Sequence, residues 1–212
     1  MDVKMNELIK LIDTNPEEAT VQNFFEKHPA SIIGTAYALS NTLIAKLPLG
    51  VNFVTDFTWV NPRSGPTYVY IIEIEKPSKS IFNQDNSFTQ SFNHAYGQVE
   101  DWLGWCYRNQ GTFRDILIPL KSHNDLLSFF AVRGILIYGR DSELNNSRRK
   151  ERWTQKGLSN PFIEVRTYDG WAREKNNTIP PHDGLASYLS TVHYSNRSYI
   201  KKSHKLNTHN HV

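Results

Sequence analysis

A single cysteine, Cys106, is all the chain offers for cross-linking. No internal disulfide can form, and a reducing compartment is the default. No stretch approaches the ~18 consecutive apolar residues of a membrane span. The opening MDVKMNELIK is too polar for a secretory signal. A cytoplasmic protein with no membrane partner is therefore expected, and the N-x-S/T matches at Asn145, Asn176 and Asn196 carry no meaning as glycosylation sites. Charge of one sign is also scarce: 24 Lys and Arg against 21 Asp and Glu leave +3. The overall balance does not announce a nucleic-acid binder, so any contact with a polyanion must come from local clusters. There is no internal repeat. What the sequence does have is 39% hydrophobic and 12% aromatic residues in 212 positions, enough for one compact domain with extensions or at most two small ones.

The chain opens on two amphipathic helical patterns. MNELIKLID is the shorter. In NPEEATVQNFFEKHP, Asn15 is placed to cap, Pro16 fits the first turn, Glu17 and Glu18 suit the positive end of the dipole, and Pro29 ends the helix. SIIGTAYAL reads as helix or strand, with the helix preferred. Three strands are expected next: TLIAKLPL, NFVTDFTWV and TYVYIIEIE. The last two form a hairpin across the turn NPRSGP. Phe88, Phe92, Ala95, Val99, Trp102 and Leu103 recur at helical spacing in SFTQSFNHAYGQVEDWLGWCYRNQ. FRDILIPLK and RGILIYG read as strands covered on both faces, with a short helix between them in SHNDLLSFFAV. A basic helix (ELNNSRRKERWTQKGLSN), a strand (FIEVRTY) and a short helix (YDGWAREKNN) follow. Composition turns polar after Asn177, and the final HYSNRSYIKKSHKLNTHNHV is expected to be a loose tail. The expectation is a core of residues 1–176 and a polar extension, 177–212, with a mixed α/β (α+β) sheet flanked by helices.

Acidic residues stand where the sheet should be most buried. Side chains alternate along a strand, so Glu73 and Glu75 share one face. Simple pairing about NPRSGP sets Asp56 near the Glu73 end of the neighbouring strand. Like charges ~4 Å apart repel by about 4 kcal/mol at an effective dielectric of ~20. The conflict is relieved by protonation, by splaying into water, or by a hard divalent cation such as Mg²⁺ or Mn²⁺. A solvent-facing strand edge carrying ordinary charges is the other reading of the same spacing.

TDF, seventeen positions before Glu73, then EIEKP and the helical GQVEDW, resemble the PD-(D/E)xK nuclease pattern. Together with VQNFFEKHP, LPLGVNFVTDF, LIYGR and RTYDGW in this order, they resemble the Shedu family of prokaryotic anti-phage nucleases over residues 15–175. The resemblance implies a restriction-endonuclease-like core, DNA as partner, one or two Mg²⁺ or Mn²⁺ ions, metal-dependent phosphodiester cleavage, and a homo-oligomer (dimer or tetramer). It assigns Asp56 and Glu73 as metal ligands, Gln98 as the supporting helix glutamine, and Glu18 as a further metal ligand. The helix N-terminus is the other reading of Glu18. The pattern departs at the lysine: Glu75 stands in its place and Lys76 comes one step late. Glu75 then acts as a second ligand or orients the attacking water, or a bulge swings Lys76 onto the active face. Loss of catalysis with binding retained, and a DNA-repair or junction nuclease, are the alternative functions. The large sensor region of relatives is not seen ahead of the domain, so control is expected from assembly, substrate or partner.

Other candidates are cationic. His94 lies one turn before Gln98, so it reads as a phosphate contact or as an ordinary surface histidine. Arg148 and Arg149 of SRRKERW could track a DNA backbone or belong to a solvated helix face. Arg140 is a phosphate contact, a partner to a nearby carboxylate, or half of a structural salt bridge. Tyr168 and Asp169 are expected to cap the short helix, with Trp171 packed beneath.

Overall fold

The computed structural model describes residues 3–34, 36–117, 120, 127, 129–178 and 188–194. Two helices, α1 (Val3–Asp13) and α2 (Glu18–Lys27), precede a single-turn α3 (Ala30–Ile33). The strands β1 (Thr42–Ala45), β2 (Pro48–Leu49), β3 (Phe53–Val54), β4 (Phe57–Asn61) and β5 (Thr67–Ile74) follow. Then come α4 (Gln90–Arg108), α5 (Gln110–Leu117), β6 (Phe130–Ile137), α6 (Ser147–Ser159), β7 (Ile163–Arg166), α7 (Tyr168–Thr178) and β8 (Ser190–His193). Six strands make one mixed sheet in the order β7-β6-β5-β4-β1-β8, and β2 and β3 pair apart from it. β4 runs antiparallel to β1 and β5; β6 is parallel to β5 and β7, and β8 to β1. This is the mixed α/β architecture expected. Among the described residues no helix is long and apolar enough to cross a membrane.

Alternation divides the sheet into two buried faces. Val69 and Ile71 of β5 pack with Val99, Trp102 and Leu103 of α4. Ile72 and Ile74 pack instead with Leu8, Phe25, Tyr168 and Trp171 of the α1, α2 and α7 layer. Thr89 caps α4, its hydroxyl accepting from Phe92 N at 3.2 Å. The buried residues Phe92, Ala95, Tyr96, Val99, Trp102, Leu103 and Cys106 form the helix's apolar face. Gly134 lets α4 lie close on β6, since a Cβ there would collide with Val99 Cγ1.

Several local expectations change. The first two expected strands each break in two, because Lys46 adopts a left-handed backbone (φ 55°) after β1. The chain then leaves the main sheet as the β2–β3 hairpin and returns at Thr55 and Asp56, held by Thr55 N to Leu47 O at 2.9 Å. The stretch read as strand FRDILIPLK is helical as far as Leu117, because Phe113 and Leu117, four apart, bury one helix face. The helix expected in SHNDLLSFFAV falls mostly outside the described residues, and its last residues, Phe130–Val132, open β6. α2 begins at Glu18 with no side-chain cap, and Asn15 sits at φ 57° instead of capping. Pro29 does end α2 but also starts α3, which stops at Gly34 (φ 68°). Within the stretch read as a polar extension, Ser190–His193 adds an edge strand beside β1. Most of the expected tail lies outside the described residues.

Candidate active site

The β4–β5 hairpin builds the site. Phe57 pairs with Ile72 and Asn61 with Tyr68, so one more step of the register sets Asp56 opposite Glu73. Asp56 N donates to Ile72 O at 3.1 Å, and Ile74 N donates back to Asp56 Oδ2 at 2.8 Å. Two backbone contacts thus fix the Asp56 carboxylate. Asp56 is 5% exposed, Glu73 and Glu75 8% each. They are not the carboxylates of a wet strand edge.

Gln98 reaches in from α4, its Nε2 donating to Glu73 Oε1 at 3.0 Å. Burial first, then the charge of Asp56 and a hydrogen bond with it, then Glu75 and Glu18, push the Glu73 carboxyl from an ordinary 4.5 up to about 10. At neutral pH Glu73 therefore keeps its proton. From the first turn of α2, Glu18 joins the same cluster. Burial, then Asp56 and Glu75, raise its carboxyl. Its helix position and its site position are the same fact: the first turn of α2 points at the open end of β5. Beneath them the buried Tyr168 hydroxyl donates to the Glu75 carbonyl at 2.7 Å, pinning the backbone just past β5.

Two ammonium groups that the sequence did not single out lie among these carboxylates. Lys46 Nζ pairs with Asp56 Oδ1, and Lys79 Nζ with Glu75 Oε2. Burial works against the Lys79 charge, but the hydrogen bond and charge of Glu75 outweigh it and raise its proton affinity. Lys79 left a faint signal, four residues after Glu75. Lys46 left none, since its approach depends on the left-handed break between β1 and β2. Lys76 turns to the neighbouring helix residue, pairing with Glu17 Oε1 at 2.5 Å.

The donor set is all oxygen, which suits Mg²⁺ or Mn²⁺, and its four carboxylates outnumber the two ammonium groups bonded to them. Among the described residues, however, no three His, Cys, Asp or Glu side chains stand in metal-holding geometry. The residues fit the ion in chemistry and charge; their present arrangement is the one held by the lysines.

The remaining candidates separate. His94 is exposed and shares with Gln98 a cleft of about 440 Å³ between α4 and the β2–β3 hairpin. Arg148 is exposed on α6. Arg149 is tied down, with Nε donating to Asn86 Oδ1 at 2.9 Å and Nη2 to Asn83 O at 3.0 Å, and its guanidinium over Phe82. Arg140 forms a fork with Asp169, two contacts of 2.9 Å, and reaches Asp13 at 2.8 Å. That is the salt-bridge reading, joining β6, α7 and α1. Asp169 consequently does not cap α7; Thr167 does, its hydroxyl accepting from Gly170 N at 3.0 Å. Trp171 packs as expected and donates from Nε1 to Ser31 O at 2.9 Å.

Comparison with curated proteins finds no match. A family model does match: residues 15–170, most of the chain and all of the carboxylate cluster, fit the one described as Shedu protein SduA, C-terminal, and the chain belongs to that family.

Proposed function

We propose that the chain is a metal-dependent DNA endonuclease of prokaryotic anti-phage defence. Family membership supports the defence role. One observation carries the chemistry: Glu73, 8% exposed and facing Asp56, is so poorly compensated that its carboxyl rises to about 10. A fold selected for stability alone has no use for such a group, whereas a cation site does. Asp56 and Glu73 would hold the ion, with Glu75 and Glu18 as further oxygen donors for one or two of them. When bound, Mg²⁺ or Mn²⁺ supplies Lewis acidity toward a phosphoryl oxygen. Gln98, bonded to Glu73, would orient it, and Glu75 would turn a water toward the phosphorus or serve as a second ligand. His94, along the adjacent cleft, and Arg148, exposed on α6, are offered to phosphates, with Lys76 and Arg149 in reserve behind their present partners. The dimer or tetramer and cytoplasmic residence belong to the same reading.

The test is incubation of supercoiled plasmid with Mg²⁺ or Mn²⁺, wild type beside Asp56→Ala and Glu73→Ala. Wild type converts plasmid to nicked or linear form, and each variant loses about a hundredfold or more of that rate. Equal cutting by Asp56→Ala sinks the site assignment. The lysine-filled geometry favours a second reading, a catalytically silent DNA-binding module. Its signature is gel retardation without metal and no cleavage with it. A repair or junction nuclease is told apart by preference for branched over plain duplex.

A further inference from the structure

A second concave site lies on the other side of the sheet. Tyr68 and Tyr70 alternate with Val69 and Ile71 on β5, so they face away from α4 and from the carboxylates. α7 closes the same face near Ile72 and Ile74. Toward the start of β5 the face opens into a cleft of about 530 Å³ lined by Arg63, Tyr68, Tyr70, Arg133, Phe162 and Arg166, among others. Register sets Arg133 beside Tyr70. The Arg133 guanidinium lies 5.5 Å from the Tyr68 ring centre and 5.0 Å from that of Phe162, and Arg63 lies 5.2 Å from Tyr68. Tyr70 is backed by Trp59, stacked at 4.5 Å and 11°. Phe162 is 42% exposed. Arg166 is neutralised by Glu164 and Glu174, but among the described residues no carboxylate pairs with Arg63 or Arg133.

We propose that this cleft binds a nucleotide unit, its base stacked on the aromatic rings and its phosphate held by Arg63 and Arg133. The volume is that of a small-ligand site. Rigid aromatic faces beside unneutralised guanidinium groups are what a base joined to a phosphate recognises, and stacking works for any base. A flat protein partner would need neither the concavity nor the Trp59 support behind Tyr70. The site does not rest on the nuclease reading, since it shares no residue with the carboxylate cluster.

Binding is measured in EDTA, so cleavage plays no part. Calorimetry with adenosine and thymidine monophosphates, and anisotropy with a labelled oligothymidylate, are run on wild type, Arg63→Ala and Phe162→Ala. Both substitutions are at exposed positions, and circular dichroism confirms folding. Each weakens binding about tenfold, and added salt weakens it further. Binding of monophosphates identifies a free nucleotide as the source; binding of the oligonucleotide alone identifies a strand. The proposal is overturned if neither ligand binds at millimolar concentration, or if both variants bind as wild type does. It is equally overturned if no nucleotide binds and the two variants instead dissociate an oligomer in sedimentation, which makes the face a subunit contact.

Discussion

Replacing Glu73 with glutamine isolates the charge from the shape. The new amide still accepts from Gln98 and can donate to Asp56, so what changes is only the capacity to ionise. In the folded chain the Glu73 carboxyl stands at about 10, against an ordinary 4.5. A raised acid makes a contribution to stability that is full below the lower value and is lost as pH climbs to the upper one. Between them the folded state keeps a proton that the unfolded state has released. The slope is at most about 1.4 kcal/mol per pH unit, and relaxation of the site reduces it to about 1. Wild type in EDTA should therefore lose about 2 kcal/mol between pH 6 and pH 8 that Glu73→Gln retains. Urea unfolding at several pH values reads this directly. Mn²⁺ should then reverse the order: at a hundredfold over its Kd it adds about 2.7 kcal/mol to wild type and much less to the variant. Parallel stability curves for the two proteins in EDTA would refute both the buried acid and the cation argument built on it.

Lys79→Met removes the ammonium from Glu75; calorimetry should show Mn²⁺ bound about tenfold more tightly, and unchanged or weaker binding means Lys79 does not compete with the ion. Gly134→Ala drives a methyl into Val99 and should cost about 1–3 kcal/mol by overpacking, read as a lower Tm and a lower urea midpoint.

A sequence reveals an interaction to the extent that the interaction is local. The β4–β5 hairpin was legible because NPRSGP supplies the turn and alternation supplies the faces. Asp56 and Glu73 followed from that register, and Gln98 from the helical spacing of SFNHAYGQVEDW with the resemblance to guide it. FRDILIPLK reads as a strand although α5 is helical, because its residues serve either element and only the packing of Phe113 and Leu117 decides. The break at Lys46 was invisible, because a lysine at positive φ has no local signature and is held by contacts with Asp56, ten residues on. β8 escaped for a similar reason. Ser190–His193 is short and polar, and becomes a strand only by pairing with β1, well over a hundred residues earlier.

Glu75 adds a third buried carboxylate beside Asp56 and Glu73. Two cations reach the cluster, Lys46 from the strand break and Lys79 from the turn after Pro77. They neutralise Asp56 and Glu75 but not Glu73, which lies between those groups and takes a proton instead. Apolar side chains at these positions would be simpler to bury and at least as stable. Retaining four carboxylates, one of them protonated, makes sense if a stronger cation displaces both the lysines and the proton. Metal uptake by wild type should then release close to one proton at pH 7, since Glu73 has to ionise to become a ligand. Calorimetry in two buffers of different ionisation enthalpy counts that proton. Uptake with no proton released would place the ion elsewhere and leave Glu73 a neutral strut in the core.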